Sequence, residues 1–197
     1  FDAPVMIPAG SNIPKVPADR QAVRARLGIP EGEVACAVFA SDHPAHLTAW
    51  TARAAERLPV HLVVMGSAAS RWTPGPRLHL LGTLSAEEIS RTLQACDLQA
   101  APYLDGISAR RTAAAAGLAH GLPVMSTLGP LPDTTLPWGE AMPLVPADDA
   151  KAFGAMLERL VSDAAKRRKW SEAGAGFYRE HLAREKLDRR FCEALGR

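Results

Sequence analysis

Several short stretches of this chain are apolar at successive positions instead of alternate ones. They are Val34-Ala-Cys-Ala-Val-Phe-Ala40, Val60-His-Leu-Val-Val-Met65, Leu78-His-Leu-Leu81, Leu98 to Ala101, Val124-Met-Ser-Thr127 and Met142-Pro-Leu-Val145. Strands of this kind present apolar groups to both sides and must be covered on both sides, which is the condition of a parallel sheet between two helical layers. The intervening segments supply those helices. Arg20 to Leu27 ends at Gly28, a residue suited to the left-handed position after a helix. His46 to Arg57 places Leu47, Trp50 and Ala54 on one face. Ser85-Ala-Glu-Glu88 is a capping-box pattern opening a helix to Ala95, and Ser108 to His120 forms another. From Asp148 onward only helical periodicity remains, with Phe153, Met156, Leu157, Leu160 and Val161 in one stripe and Asp148-Asp149 placed as an N-terminal cap. The fold expected is α/β, a Rossmann-like doubly wound parallel sheet of about six strands followed by C-terminal helices.

At 197 residues, burying about 70% of the unfolded surface yields one sizeable core without disulfides or metals. A formal charge of +2, from 23 basic and 21 acidic residues, is too small to argue for nucleic acid, and no nucleic-acid motif is present. The mixed charges after Lys151 read as solvated helix faces. Cys36, Cys96 and Cys192 cannot all pair and read as reduced core thiols of a cytoplasmic protein. The apolar runs are far shorter than the roughly 20 residues of a membrane span. The chain opens Phe1-Asp2-Ala3-Pro4 with no initiator Met, then passes Pro8, Pro14 and Pro17. Residues 1–18 are therefore expected to be an interdomain linker and 19–197 a single domain.

In a doubly wound sheet, ligands bind beyond the carboxyl ends of the strands. The most informative loop there is Pro102-Tyr-Leu-Asp-Gly-Ile-Ser-Ala-Arg-Arg-Thr112. Between Leu58 and Ala147 the only basic residues are Arg71, Arg77, Arg91, Arg110 and Arg111, and the last two are adjacent in this loop. If Ser108 caps the helix, both arginines fall in its first turn, where the macrodipole disfavours a cation by about 0.3–1 kcal/mol. A bound phosphate would compensate, because free amides and guanidinium forks would face it together. A structural ion pair of Arg110 or Arg111 with Asp105 or a neighbouring carboxylate is the alternative. Ser41, Asp42, His43, Ser67 and Thr83 are further polar residues at strand ends.

The helix Ala113-Ala-Ala-Ala-Gly-Leu-Ala119 has so little side-chain volume that it should lie close on the sheet, with His120 as its C-terminal cap. There is no hydrolase elbow, Walker loop, Gly-x-Gly-x-x-Gly or Asp-x-Asp pair, and no metal site is expected.

The order Leu81-Gly82-Thr83-Leu84-Ser85, Ala95-Cys96-Asp97, Ala101-Pro102, Ala119-His120-Gly121-Leu122-Pro123-Val124 and Leu144-Val145-Pro146-Ala147-Asp148 resembles the donor-binding, C-terminal half of a type B retaining glycosyltransferase of group 1 (family 4). Ile7-Pro8-Ala9-Gly10-Ser11 is similar to the segment entering that half from the acceptor domain. Asp105-Gly106-Ile107-Ser108 with Arg110-Arg111 resembles a bacterial branch of the class.

The resemblance implies a nucleoside diphosphate sugar as donor substrate, with no other cofactor. It also implies an N-terminal acceptor domain outside this sequence, a lipid-linked or polysaccharide acceptor, and a cytoplasmic protein lying at the membrane surface in its full-length form. With the resemblance, the strand-end residues Ser41, Gly66, Gly82, Thr83, Leu84, Gly106, Ile107 and Ser108 are the candidate donor contacts, and Asp105, Arg110 and Arg111, read from the loop itself, are the candidates to serve the leaving diphosphate. The pattern departs from the family in two ways. The family's second Glu falls on Ala113 counting from Asp105, or on Ala116 counting back from Gly121-Leu-Pro123. The Arg and Lys of the family's first loop are absent from Ser41 to Ala52, so Arg110 and Arg111 are expected to neutralise the diphosphate instead. A binding module without catalysis and a sugar-nucleotide epimerase of the same architecture are the alternatives.

Overall fold

The computed structural model describes residues 6–130 and 133–196. The first five residues of the expected linker, including Phe1 to Pro4, lie outside the described residues.

All six strands are parallel: β1 (Val34–Phe39), β2 (Val60–Met65), β3 (Leu78–Gly82), β4 (Leu98–Ala101), β5 (Val124–Leu128) and β6 (Leu144–Pro146). They lie in the order β3-β2-β1-β4-β5-β6, so the chain runs outward in both directions from β1 and β4. Those two neighbours form the topological switch point. The helices are α1 (Arg20–Leu27), α2 (Thr48–Ala55), α3 (Ala86–Ala95), α4 (Thr112–Ala119), α5 (Trp138–Ala141), α6 (Ala150–Ser162), α7 (Ala164–Phe177) and α8 (Arg184–Ala194).

One face of the sheet, through Cys36, Val38, Leu62, Val64, Leu98 and Ala100, packs on Phe153, Leu157, Leu160 and Val161 of α6 and on Trp50 and Ala54 of α2. The other face buries Ala35, Ala37, Val63 and Met65 against Leu93 of α3 and Ala116 of α4. Successive residues of each inner strand thus serve opposite layers, which accounts for the unbroken apolar runs.

Local signals fix the helix ends. Asp19 accepts from the Ala22 amide at 3.0 Å, and Gly28 closes α1 at φ 69°. Ser85 and Glu88 complete both bonds of the capping box, and Asp149 caps α6. Arg24, 7% exposed, donates to the carbonyls of Ala95, Pro30 and Glu33 and to Asp97, pinning α1 to the amino ends of β1 and β4. His120 caps α4 as expected: its Nδ1 lies 2.7 Å from the Ala116 carbonyl and its Nε2 2.9 Å from Ser90 Oγ.

Three boundaries differ from expectation. α4 begins at Thr112 and not Ser108, because the Ala109 amide donates to the Asp133 carboxylate, the Arg111 amide to the Ser108 carbonyl and the Thr112 amide to the Arg110 carbonyl, making a turn instead of helix. α2 begins at Thr48 because Ala45 to Leu47 are bonded to Pro102–Leu104 instead. β6 is Leu144–Pro146, and Trp138–Ala141 precedes it as a short helix. Cys36 and Cys96 are buried thiols as expected, and burial pushes Cys36 up to about 12. Cys192 is exposed, because α8 buries none of its residues.

Candidate functional site

The loops after β1 and β4 meet across the switch point. The Leu47 amide donates to the Pro102 carbonyl at 3.0 Å, and the Leu104 amide donates to the Ala45 carbonyl at 2.7 Å. His46 and Tyr103 form the antiparallel bridge between them. Their rings meet edge to face, 5.1 Å between centroids. The guanidinium of Arg111 lies 4.1 Å above the centre of the Tyr103 ring and pairs with Asp105. Burial pushes the Tyr103 phenol up to about 12, with Asp105 adding to the rise and Arg111 opposing it. Tyr103 is therefore a neutral platform for the cation, a geometry worth roughly 0.5–2 kcal/mol.

The β4 loop is held from its other side by the loop after β5. The Ile107 amide donates to the Thr127 carbonyl at 2.9 Å, and Gly106, at φ 86°, lies against Gly129 so closely that a Cβ at either would collide with the other's backbone. Asp133 receives the Ala109 amide and both the amide and hydroxyl of Thr135. Burial raises its carboxyl, but these bonds outweigh burial and hold it below the ordinary carboxylate range.

This loop carries unspent polar capacity. Ser108 Oγ and Arg111 Nε are buried atoms without a hydrogen-bond partner among the described residues. They stand just before α4, whose first turn has amides with no carbonyl four residues behind them inside the helix. Arg110 is exposed and makes no ion pair among the described residues. Neither arginine lies in the first turn of α4, because the helix starts after both: Arg111 occupies the N-cap position itself. The two arginines are also unequal, since Arg111 already has Asp105 as its partner.

The remaining expected residues also lie at the carboxyl ends of the strands. Ser41 Oγ accepts the His43 amide at 3.1 Å. Gly66, at φ 114°, presses on the Ala40 backbone, and its amide donates to the Gly82 carbonyl at 2.7 Å. Thr83 is exposed and Leu84 half-buried. No hydrogen bond among the described residues joins Gly82–Leu84 to Asp105–Arg111. Ala116 is buried with Ile29 and Met65, whereas Ala113 lies in the first turn of α4. His46, Tyr103 and Asp133 belong to the site's framework, and no motif singles them out. Among the described residues no cluster of His, Cys, Asp or Glu is placed to hold a metal ion, and no helix is long and apolar enough to cross a membrane.

A family model described as glycosyl transferases group 1 matches residues 38–163. No curated protein sequence matches the chain. Among solved structures it is similar to WaaG, a glycosyltransferase involved in lipopolysaccharide biosynthesis, at 16% identity and a TM-score of 0.73, over 95% of this chain and 54% of that one. It is similar to HepE of Anabaena in complex with UDP-glucose, at 14% identity and a TM-score of 0.72, over 90% of this chain and 52% of that one. It is also similar to the C-terminal domain of the group 1 glycosyl transferase LpcC from Francisella tularensis, at 16% identity and a TM-score of 0.64, over 88% of this chain and 94% of that one. The chain thus spans about half the length of the first solved structures it matches.

Proposed function

The chain belongs to the group 1 glycosyl transferases, and from that premise we propose that residues 19–197 are the donor-binding, C-terminal half of such an enzyme. In this reading residues 1–18 lead in from an N-terminal acceptor domain. The ligand is a nucleoside diphosphate sugar, the full-length protein is cytoplasmic, and it works at a membrane surface on a lipid-linked or polysaccharide acceptor. The observation that carries the reading is the loop before α4: two cationic side chains, an unpartnered Ser108 hydroxyl and a helix amino end all lie at the switch point of the sheet.

The diphosphate lies over this loop, against Arg110 and Arg111, with Gly106, Ile107 and Ser108 beneath it. Ser41, Gly66 and Gly82–Leu84 form the opposite wall. As the bond from the anomeric carbon to the diphosphate oxygen breaks, negative charge builds on the leaving group. Guanidinium forks and oriented amides fixed before that moment stabilise it without reorganising. Asp105 acts by holding Arg111 on Tyr103. With alanine at both 113 and 116, no carboxylate stands where the family grips the ribose, which favours a non-catalytic binding module as the second reading.

The test is a binding panel of nucleoside diphosphates and their sugars, beginning with UDP-glucose, the ligand of HepE. Arg110→Ala is expected to weaken binding by about 1.5–3 kcal/mol, the scale of hydrogen bonds to charged groups, and to leave thermal stability unchanged. Arg111→Ala should weaken binding similarly but also lower the melting temperature, as should Asp105→Ala. A double Ala variant that binds as tightly as the parent refutes the site. Full-length protein that binds but never consumes a nucleotide sugar in the presence of acceptor establishes the second reading.

A further inference from the structure

His46 is absorbed neither by the fold's core nor by the donor contacts above, yet it stands at the centre of the switch point. Its ring and the Arg111 guanidinium share one platform: the imidazole stands at 81° to the Tyr103 ring with 5.1 Å between centroids, and the guanidinium lies 4.1 Å over that ring's centre. We propose that His46 couples donor binding to a proton, taking one up when a diphosphate settles against Arg111. The inference rests on the nucleotide-sugar reading and adds to it a pH dependence built from this chain's own loop.

The groups that face His46 can be named element by element. From the loop after β4 come Arg111, Asp105 and the neutral Tyr103; from its own loop comes His43, 5.9 Å away between ring centroids. Asp42, also on that loop, is engaged by Arg71 at 3.1 Å. In the free protein, burial, Arg111 and His43 together keep the ring below the ordinary histidine range, against the smaller pull of Asp105 and of the Phe39 carbonyl. The neutral ring is thus the resting form.

A diphosphate reverses this balance. It brings two negative charges to Arg111, cancels the chief electrostatic opponent of the proton, and leaves a net anionic field at His46. By linkage, a ligand that favours the protonated ring binds more tightly as pH falls, and each ligand bound draws in protons from solution. His43 is exposed, and its Nδ1 already accepts the Ala45 amide at 3.2 Å. It stands in solvent where the ligand's field is screened.

The experiment is isothermal titration calorimetry with UDP-glucose in buffers of different ionisation enthalpy. The sugar nucleotide is chosen because a free terminal phosphate titrates near pH 6, whereas its doubly esterified diphosphate has no such proton. As pH drops from roughly 7.5 to 6, the parent is expected to take up a fraction of a proton per ligand, and its dissociation constant should fall by up to about tenfold per unit. His46→Gln is expected to bind with flat pH dependence and no proton uptake, while His43→Gln keeps the uptake.

A second measurement needs no variant: the His46 imidazole resonance should titrate at higher pH in the saturated protein than in the free one. Binding without proton uptake overturns the inference while the nucleotide reading stands, and so does uptake that survives in His46→Gln or a resonance midpoint that does not move. No binding by any nucleoside diphosphate sugar at any pH removes both.

Discussion

Gly117 lies under the middle of α4, directly over Gln99 of β4. Gln99 is fully buried; its Nε2 donates to the Ala113 carbonyl at 2.9 Å, and its Oε1 is without a partner among the described residues. A Cβ at Gly117 would overlap Oε1 and approach Val124 Cγ2 to 2.8 Å. In Gly117→Ala either the helix lifts from the sheet, or Gln99 swings away and leaves Ala113 and its own amide unpaired. Overpacking costs about 1–3 kcal/mol, and a buried polar group losing its partner costs about 1–3 kcal/mol more. The better helix propensity of alanine returns about 1 kcal/mol. The expected net loss is about 3 kcal/mol, which at roughly 2–4 °C per kcal/mol for a chain of this size lowers the melting temperature by about 6–12 °C. Urea denaturation and thermal melts followed by circular dichroism read both quantities. Leucine at the same position should cost more, and Ala116→Leu, against Ile29 and Met65, should cost about 1–3 kcal/mol. In a Gln99→Ala background, Gly117→Ala should cost less than in the parent, because the obstructing amide is gone and only the Val124 contact remains. A Gly117→Ala variant as stable as the parent, or more stable, would mean that α4 is not seated on β4 and would refute the packing argument.

Arg24→Ala should destabilise by about 1.5–3 kcal/mol, the scale of hydrogen bonds to charged groups, because three carbonyls lose a cationic donor while Asp97 keeps Arg20 and the Ala35 amide; an equilibrium urea curve with an unchanged midpoint would contradict this. Acid should weaken the fold before any carboxylate titrates. Burial outweighs the Ala116 carbonyl and holds His120 below its ordinary range, so its contribution is complete above about pH 6.5 and is lost as pH falls below that value. Protonation also places a second donor against Ser90 Oγ. Melting temperatures recorded from pH 8 to 5 should therefore decline below about 6.5, less steeply in His120→Gln, and a flat profile in the parent would remove the argument.

Much of this molecule follows from information carried within a few residues. The buried strands are legible because both of their sides must be covered, and the helix ends at Asp19, Gly28, Ser85 and Asp149 because a cap acts within one turn. The alanine helix declares its close approach by having nothing to fill a gap. The candidate site is legible only as a place, the loop from Pro102 to Thr112, since sheet topology alone sends ligands to strand ends. Its internal arrangement depends on segments far apart in sequence. Ala45 and Leu47 bond to the β4 loop and delay α2, while Asp133 claims the Ala109 amide and delays α4. Asp105 and Tyr103 take Arg111 and leave Arg110 to solvent, and α8 leaves Cys192 outside the core. Propensity and periodicity describe how a segment prefers to fold against an average environment. Which amide a carboxylate captures, and which ring a guanidinium covers, is decided when loops from different strands meet.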